Sequence, residues 1–254
     1  MTLTLEQKKR YWNSVKNTNY QASLRLEGFK MNSFDFNKVR IIGVTQPVVD
    51  DIPDSEGILS YAARVSSPQN QSNFDTAAKL LKYCVDHKHF SVFETCNITM
   101  EIETPRDIAR QILRHRSFSF QEFSQRYAEA QEFVTRECRL QDTKNRQNSI
   151  EIDFENESDV DAFSYWDYVQ TELLRHTTEF YSKALEMGIA KEVARVILPE
   201  GLTMSKMYMN GTVRSWLHYV QLRESNGTQL EHADVANKAK VEILKYFPFL
   251  TEVM

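Results

Sequence analysis

Hydrophobic residues change their period several times along this chain, and each change marks an element. Val39-Arg40-Ile41-Ile42-Gly43-Val44 is a β-branched run closed by Pro47, which predicts a strand. Ile58 to Val65 reads as helical. Phe74, Ala77, Ala78, Leu81 and Cys84 recur at helical spacing and predict an amphipathic helix over 74–87. Cys96, Ile98, Met100 and Ile102 then alternate with Asn97, Thr99, Glu101 and Glu103, the pattern of a half-buried strand. Thr104-Pro105-Arg106-Asp107 predicts a helix start, with Thr104 as cap and Pro105 in the first helical position. Ile108, Ala109, Ile112 and Leu113 would be the buried stripe of that helix, and Gln111, Arg114 and His115 would share another face.

Residues 139–157 are polar and predict a surface excursion. Beyond them the pattern is mostly helical. A long helix is predicted over 159–188, with Trp166, Val169, Leu173, Phe180, Ala184 and Met187 on one stripe. Lys191 to Leu198 is helical up to Pro199, and helices near 212–224 and 229–246 follow. Residues 1–36 are polar and mixed, and read as an extension outside the main core. The pattern predicts an α/β (α+β) fold with several long helices and a helix-rich C-terminal half, in one domain over 37–254.

Composition narrows the function. Only 7 Gly and 6 Pro among 254 residues argue against a loop-rich all-β fold, and no glycine-rich phosphate loop is present. A net charge of -4 argues against a general nucleic-acid binder, which needs a broad basic face. Cys84, Cys96 and Cys138 are odd in number and unpatterned, which predicts a reducing, cytoplasmic setting without a disulfide frame. Cys84 and Cys96 fall on apolar faces and read as small core residues. Cys138 lies near arginines, but no His/Asp partner for a nucleophile is evident. His87 and His89 form an H-x-H pair without further ligands at metal spacing, so no metal is expected.

Against this acidic background one segment stands out. Residues 114–127, RHRSFSFQEFSQRY, hold three arginines, a histidine and three serines among aromatics. Like charges this close repel unless an anion or acidic side chains lie among them. A single arginine would be explained by pairing with Glu122, Glu129 or Glu132 on the surface. The whole constellation points instead to a small, multiply anionic ligand bound through bidentate arginines. His115, flanked by two arginines, is expected to stay neutral. Arg214 and Arg223 are nine residues apart on one predicted helix, which places them on opposite faces.

Arg114-His115-Arg116, seven residues and then Ser124 resemble the R-H-R-x7-S signature of the flavin-dependent thymidylate synthases. Glu122-x-Ser124-x-Arg126-Tyr127 and the approach Ala109-Arg110-Gln111 continue the likeness. Ala63-Arg64-Val65-Ser66, His89-x-Ser91-x-Phe93-Glu94, Val193 to Pro199, and Arg214-Ser215 through Leu222-Arg223 resemble further family elements, in order, over roughly 38–247. The resemblance implies a mixed α/β core with a mixed sheet, and a homotetramer with sites built between subunits. It implies conversion of dUMP to dTMP, with methylenetetrahydrofolate as carbon donor, NADPH as reductant and FAD passing the hydride. By position, Gln111, Arg114, Glu122, Phe123, Ser124, Gln125, Arg126, Arg195 and Arg223 would bind dUMP, and Arg223 would be the catalytic residue. Ser66, Ser91, Glu94, Arg114, His115, Arg116, Glu122, Thr212, Arg214 and His218 would contact FAD. Gln121, Thr212, His218 and Gly227 depart from the family's usual residues, and His218, one turn after Arg214, is expected to replace a polar flavin contact. The alternatives are a flavin-free nucleotide enzyme on the same scaffold and a helical nucleic-acid-binding module.

Overall fold

The computed structural model describes residues 34–130, 132–225 and 227–254, so most of the expected extension over 1–36 lies outside the described residues. The chain divides into two compact units. One contains Thr135–Ile189 with Phe34 and Asp35, and the other contains Phe36–Val134 and Ala190–Met254. Every residue expected to touch a ligand falls in the second unit.

That second unit is built on a four-stranded sheet. Its strands are β1 (Lys38–Val44), β2 (Asn97–Pro105), β3 (Ser119–Glu122) and β6 (Met204–Thr212), in the order β1-β2-β6-β3. All three pairings are antiparallel, so the expectation of a mixed sheet is corrected: short strands joined through helices and turns pair here only in the antiparallel sense. One face is apolar: Ile98, Met100 and Ile102 of β2 and Met207 and Met209 of β6 are fully buried. The helices packed in the same core are α1 (Ser55–Ala63), α2 (Ala77–Asp86), α3 (Arg106–Ile112), α6 (Val213–Arg223) and α7 (Leu230–Leu244). A short helix, α5 (Lys191–Ala194), precedes a single 3-10 turn, Arg195–Ile197. The other sheet face is a ladder of charge. Register sets Lys38 and Lys206 opposite Glu103, and Arg40 opposite Glu101. Glu103 pairs with Lys206 at 2.7 Å and Lys38 at 3.0 Å, while Arg40 Nε donates to Glu101 at 2.7 Å. Opposite charges directly across a strand pair lock the register that the buried face requires.

The first unit holds a two-stranded ribbon, β4 (Leu140–Gln141) and β5 (Ser149–Ile150), and the 30-residue helix α4 (Glu157–Glu186). Asn156 caps α4 by accepting from the Ser158 N–H at 3.0 Å. Gln170 ties the helix to the preceding chain, accepting from the Arg136 N–H at 2.6 Å and donating to the Arg136 carbonyl at 2.9 Å. Its predicted apolar stripe is not a buried one. Gln170, Thr177 and Tyr181 are buried, whereas Trp166, Leu173, Phe180 and Met187 are exposed. Among the described residues, no helix is long and apolar enough to cross a membrane.

Two further local expectations are corrected. Thr104 and Pro105 end β2 rather than opening the first turn of a helix. The Thr104 hydroxyl donates to Asn37 Oδ1 at 2.7 Å, so α3 begins at Arg106 without a side-chain cap. Helix α3 also ends at Ile112, one turn earlier than a shared face for Gln111, Arg114 and His115 requires.

The join between β6 and α6 positions the arginine-rich segment. Thr212 caps α6, its hydroxyl accepting from the Ser215 N–H at 3.2 Å. Ser215 Oγ in turn donates to the Ser117 carbonyl at 3.2 Å, and Trp216 Nε1 donates to the Ile98 carbonyl at 3.1 Å. Gly211 leaves room for the Phe118 ring: a β-carbon there would sit 2.4 Å from Phe118 Cδ1. That ring is wedged edge-on against Trp216 at 4.9 Å and Tyr219 at 5.9 Å, so it cannot simply swing away. Gly211→Ala is therefore expected to destabilise the protein by about 1–3 kcal/mol, as overpacking of a filled core does. Urea unfolding measures it, and an unchanged midpoint would show that Phe118 does not hold this turn.

Candidate functional site

Chain leaving α3 turns twice before entering β3. His115 N–H donates to the Ile112 carbonyl at 3.0 Å and Phe118 N–H to the His115 carbonyl at 3.3 Å. This tight path leaves the Arg114 and Arg116 side chains exposed while Phe118 is buried. Neither of these two side chains has a hydrogen-bond or ion-pair partner among the described residues. The acidic partners that would have explained them as ordinary surface ion pairs are engaged elsewhere: Glu122 holds Arg110 at 3.3 Å, and Glu129 holds Lys191 at 3.4 Å.

His115 sits between this turn and α6. Arg223 Nε–H donates to His115 Nε2 at 3.0 Å. A nitrogen that accepts from a guanidinium cannot itself carry a proton, so the ring is neutral with its hydrogen on Nδ1. Burial, then Arg223 and then Arg114, push the His115 pKa down to about 4. The sequence places a second arginine, Arg116, beside it, but burial and Arg223 hold the ring neutral. One Arg223 nitrogen is thus committed, which fixes the guanidinium plane and leaves its two terminal nitrogens to a ligand.

Gln111 lies on the same side, donating through Nε2 to Gln229 Oε1 at 2.7 Å and meeting His232 Nδ1 at 3.3 Å through Oε1. Gln111, His115 and Arg223 are thus gathered around α6 and α7.

A second group surrounds the end of β3. Glu122 accepts from Ser205 Oγ at 3.0 Å and Arg110 Nη1 at 3.3 Å, with Arg106 Nη1 at 3.7 Å. Arg110 also reaches Glu200 at 3.0 Å. These residues border a cleft of about 290 Å³ lined by Arg106, Arg110, Gln125, Arg195, Val196, Leu198 and Glu200. Gln125 is buried and its Nε2 has no acceptor among the described residues. Burial is the main pull on Arg106 and lowers its pKa, with Glu122 opposing it. Three guanidinium groups and an unsatisfied amide donor meet in one cleft, which is an arrangement for an anionic, acceptor-rich ligand. Ser124 accepts from the Arg126 N–H at 3.4 Å, and Arg126 pairs with Glu192 at 3.2 Å. The Phe123 ring is partly exposed, and its N–H donates to the Lys206 carbonyl at 2.8 Å.

A third group lies on the opposite face of α6. Arg214 pairs with Glu94 at 2.9 Å and lies 5.8 Å above the Phe90 ring, while the His218 ring meets Phe90 edge-on at 4.7 Å. Burial and Arg214 lower the His218 pKa, so it too favours the neutral form. Ser91 is exposed in the same 3-10 turn, Phe90–Glu94. Arg214 and Arg223 do face different partners, as their spacing predicts. Thr212 lies at the start of this helix with its hydroxyl engaged as the cap. Ser66 is separate again, in a 520 Å³ hollow with Arg64, Asn70, Thr76, Lys79 and Tyr83 among its lining. The buried Arg64 braces that hollow by donating to the Asn73 carbonyl and to Thr76 Oγ1.

No hydrogen bond or ion pair joins these groups to one another among the described residues. Sequence reasoning missed Arg106, Ser205, Tyr219, Gln229 and His232. Arg106 and Arg110 stand one turn apart on α3, a visible signal; the others are tied to the site only through folding. Burial raises the Cys84 pKa and takes that of Cys96 to about 11, and burial and Glu137 raise that of Cys138, all of which favour the thiol over the thiolate. His87 stacks on Tyr83 at 3.8 Å.

Burial and nearby Arg223 also press the His232 pKa down to about 3. Between these folded-state values and the ordinary value near 6.5 the unfolded chain binds more protons, so stability must fall as pH falls through that window. Urea midpoints should decline between about pH 7 and pH 5, above most carboxylate titration. A flat profile there would mean these rings are not held neutral.

Residues 47–249 match the family model Thy1, described as thymidylate synthase complementing protein, and residues 1–40 match a second model, YhfG. The chain is 50% identical over 216 residues to a probable flavin-dependent thymidylate synthase of Paramecium bursaria Chlorella virus 1, covering 85% of this chain and 97% of that one. It is 47% identical over 213 residues to a flavin-dependent thymidylate synthase of Synechocystis, covering 83% and 95%. The fold resembles the crystal structure of a UMP/dUMP methylase, PolB, from Streptomyces cacaoi bound with 5-Br dUMP, with a TM-score of 0.69 at 24% identity over 85% of this chain and 93% of that one. On a family match spanning most of its length and relatives near half identity, the chain belongs to the Thy1 family of thymidylate synthase complementing proteins.

Proposed function

We propose that this protein is a flavin-dependent thymidylate synthase that reductively methylates dUMP. In the overall reaction dUMP, methylenetetrahydrofolate, NADPH and a proton give dTMP, tetrahydrofolate and NADP. FAD, when bound, supplies the hydride chemistry that passes reducing equivalents to the pyrimidine. The observation that carries the reading is the cleft of Arg106, Arg110 and Arg195 with the orphaned Gln125 amide, which suits a phosphate dianion.

The protein's own groups have defined tasks. Arg195 and Gln125 bind the nucleotide beside Ser124 and Arg126, with the Phe123 and Gln125 backbone assisting. Glu122 holds Arg106 and Arg110 in place. Arg223, pinned through Nε to His115, presents its terminal nitrogens to the uracil and favours charge on the ring as the N3 proton leaves. Gln111 and Arg114 complete the nucleotide contacts.

The residues around Phe90 fit a flat, phosphate-bearing cofactor. Arg214 supplies charge, and Phe90 and His218 supply aromatic surface. The exposed Arg114 and Arg116 and neutral His115 add donors, Ser91 and Glu94 lie in the adjoining turn, and Ser66 and Thr212 complete the set. The separation of the dUMP residues into two groups within one chain, and the exposed apolar stripe of α4, support a homotetramer whose sites are shared between subunits. The dispersion of the arginines into these groups, rather than along one basic face, disfavours nucleic acid.

Arg223→Ala should lower dTMP formation at least about a hundredfold with the fold retained, the scale of losing a preorganised charge stabiliser. Turnover near wild type would remove Arg223 from the mechanism. His218→Ala should weaken FAD binding severalfold in a fluorescence titration, and an unchanged affinity would exclude His218 from the flavin site.

A further inference from the structure

Behind the Arg114-His115-Arg116 turn runs a chain of polar groups whose buried members, Tyr219 and His232, have no task in the roles above. Tyr219 and His232 are 1% and 0% exposed. The Tyr219 hydroxyl lies 3.2 Å from His232 Nε2, His232 Nδ1 lies 3.3 Å from Gln111 Oε1, and Gln111 Nε2 donates to Gln229 Oε1 at 2.7 Å. The His115 ring stands edge-on to both Tyr219 and His232, at 4.9 and 6.2 Å.

The direction of this chain follows from what each group can do. His232 is the only hydrogen-bond partner of the Tyr219 hydroxyl among the described residues. A buried hydroxyl that withholds its hydrogen is costly, so Tyr219 donates to His232 Nε2. A neutral imidazole has one donor and one acceptor nitrogen, so Nδ1 carries the hydrogen and donates to Gln111 Oε1. Burial and the nearby Arg223 keep the ring neutral at working pH. With its oxygen held by His232 and one amide hydrogen given to Gln229, Gln111 has a single hydrogen left, and this one is a donor.

We propose that His232 and Tyr219 are positioning residues for substrate binding: their one-way chain of hydrogen bonds holds the Gln111 amide as a donor toward an acceptor oxygen of the nucleotide. The assignment rests on the dUMP reading given above. Without the chain the Gln111 amide could rotate and present its own oxygen, which repels the same acceptor.

The test compares wild-type protein with His232→Leu, His232→Asn and Tyr219→Phe, following KM for dUMP, kcat and thermal unfolding. His232→Leu keeps the bulk and loses both nitrogens; its KM for dUMP should rise about tenfold with kcat within about threefold, the scale of one lost oriented hydrogen bond. His232→Asn can place an amide donor where Nδ1 stood and should recover most of the loss. Tyr219→Phe removes only the hydroxyl and should raise KM about threefold. An unchanged KM in His232→Leu overturns the proposal, as does a loss confined to kcat or one that Asn does not relieve. If His232→Leu does not fold, an unchanged KM in Tyr219→Phe overturns it. Wild-type protein that neither binds nor turns over dUMP would overturn the underlying functional reading and this inference together, whereas intact wild-type binding matched by the variants overturns this inference alone.

Discussion

The hydrogen bond from Arg223 Nε to His115 Nε2 is the interaction on which the site depends. It joins the end of α6 to the turn after α3, and it works only while His115 is neutral. A protonated ring would face Arg223 with a like charge in a half-buried setting and the contact would open. Burial therefore has two consequences from one cause. It depresses the His115 pKa to about 4, and by doing so it allows three consecutive basic residues to keep two exposed cations without a third among them.

The rest of the second unit can be understood as support for that contact. The sheet places β6 at its centre, β6 hands over directly to α6, and the Thr212 cap sets where α6 starts. Phe118 fills the space that Gly211 leaves and fixes the turn carrying His115. Behind it Tyr219, His232 and Gln111 form a satisfied polar layer inside an otherwise apolar core. Such layers rigidify when every member has a partner, which is the condition a binding site needs to hold its donors in place.

Much of this was legible in the chain. The alternation over 96–103 and the helical stripe around Ile108, Ala109 and Ile112 correspond to β2 and α3, and the nine-residue spacing of Arg214 and Arg223 correctly gives them different partners. Strand β6 was harder to see. Its core face is Ser205, Met207, Met209 and Gly211, residues without β-branching, so its period of two carries no propensity signal. The start of α3 was misjudged because Thr104 and Pro105 suit a helix cap locally, while pairing with β6 and the Asn37 hydrogen bond keep them in the strand. The stripe on α4 has the right period, but its large members stay exposed, a case in which periodicity reports an apolar face without saying what covers it. In the site, the arginine motif was visible at once. The buried partners Tyr219, Gln229 and His232 were not, because a tyrosine, a glutamine and a histidine scattered over two helices form no pattern until those helices pack together.

The central claim is that the arginine-rich turn and the opposite face of α6 serve one nucleotide and one flavin. The most direct measurement is the visible absorption spectrum of the purified protein, after soaking with FAD and again after adding dUMP. A flavin spectrum that stays with the protein and shifts when dUMP is added is the predicted result. A protein that retains no flavin after soaking, or whose flavin spectrum ignores dUMP, would contradict the claim.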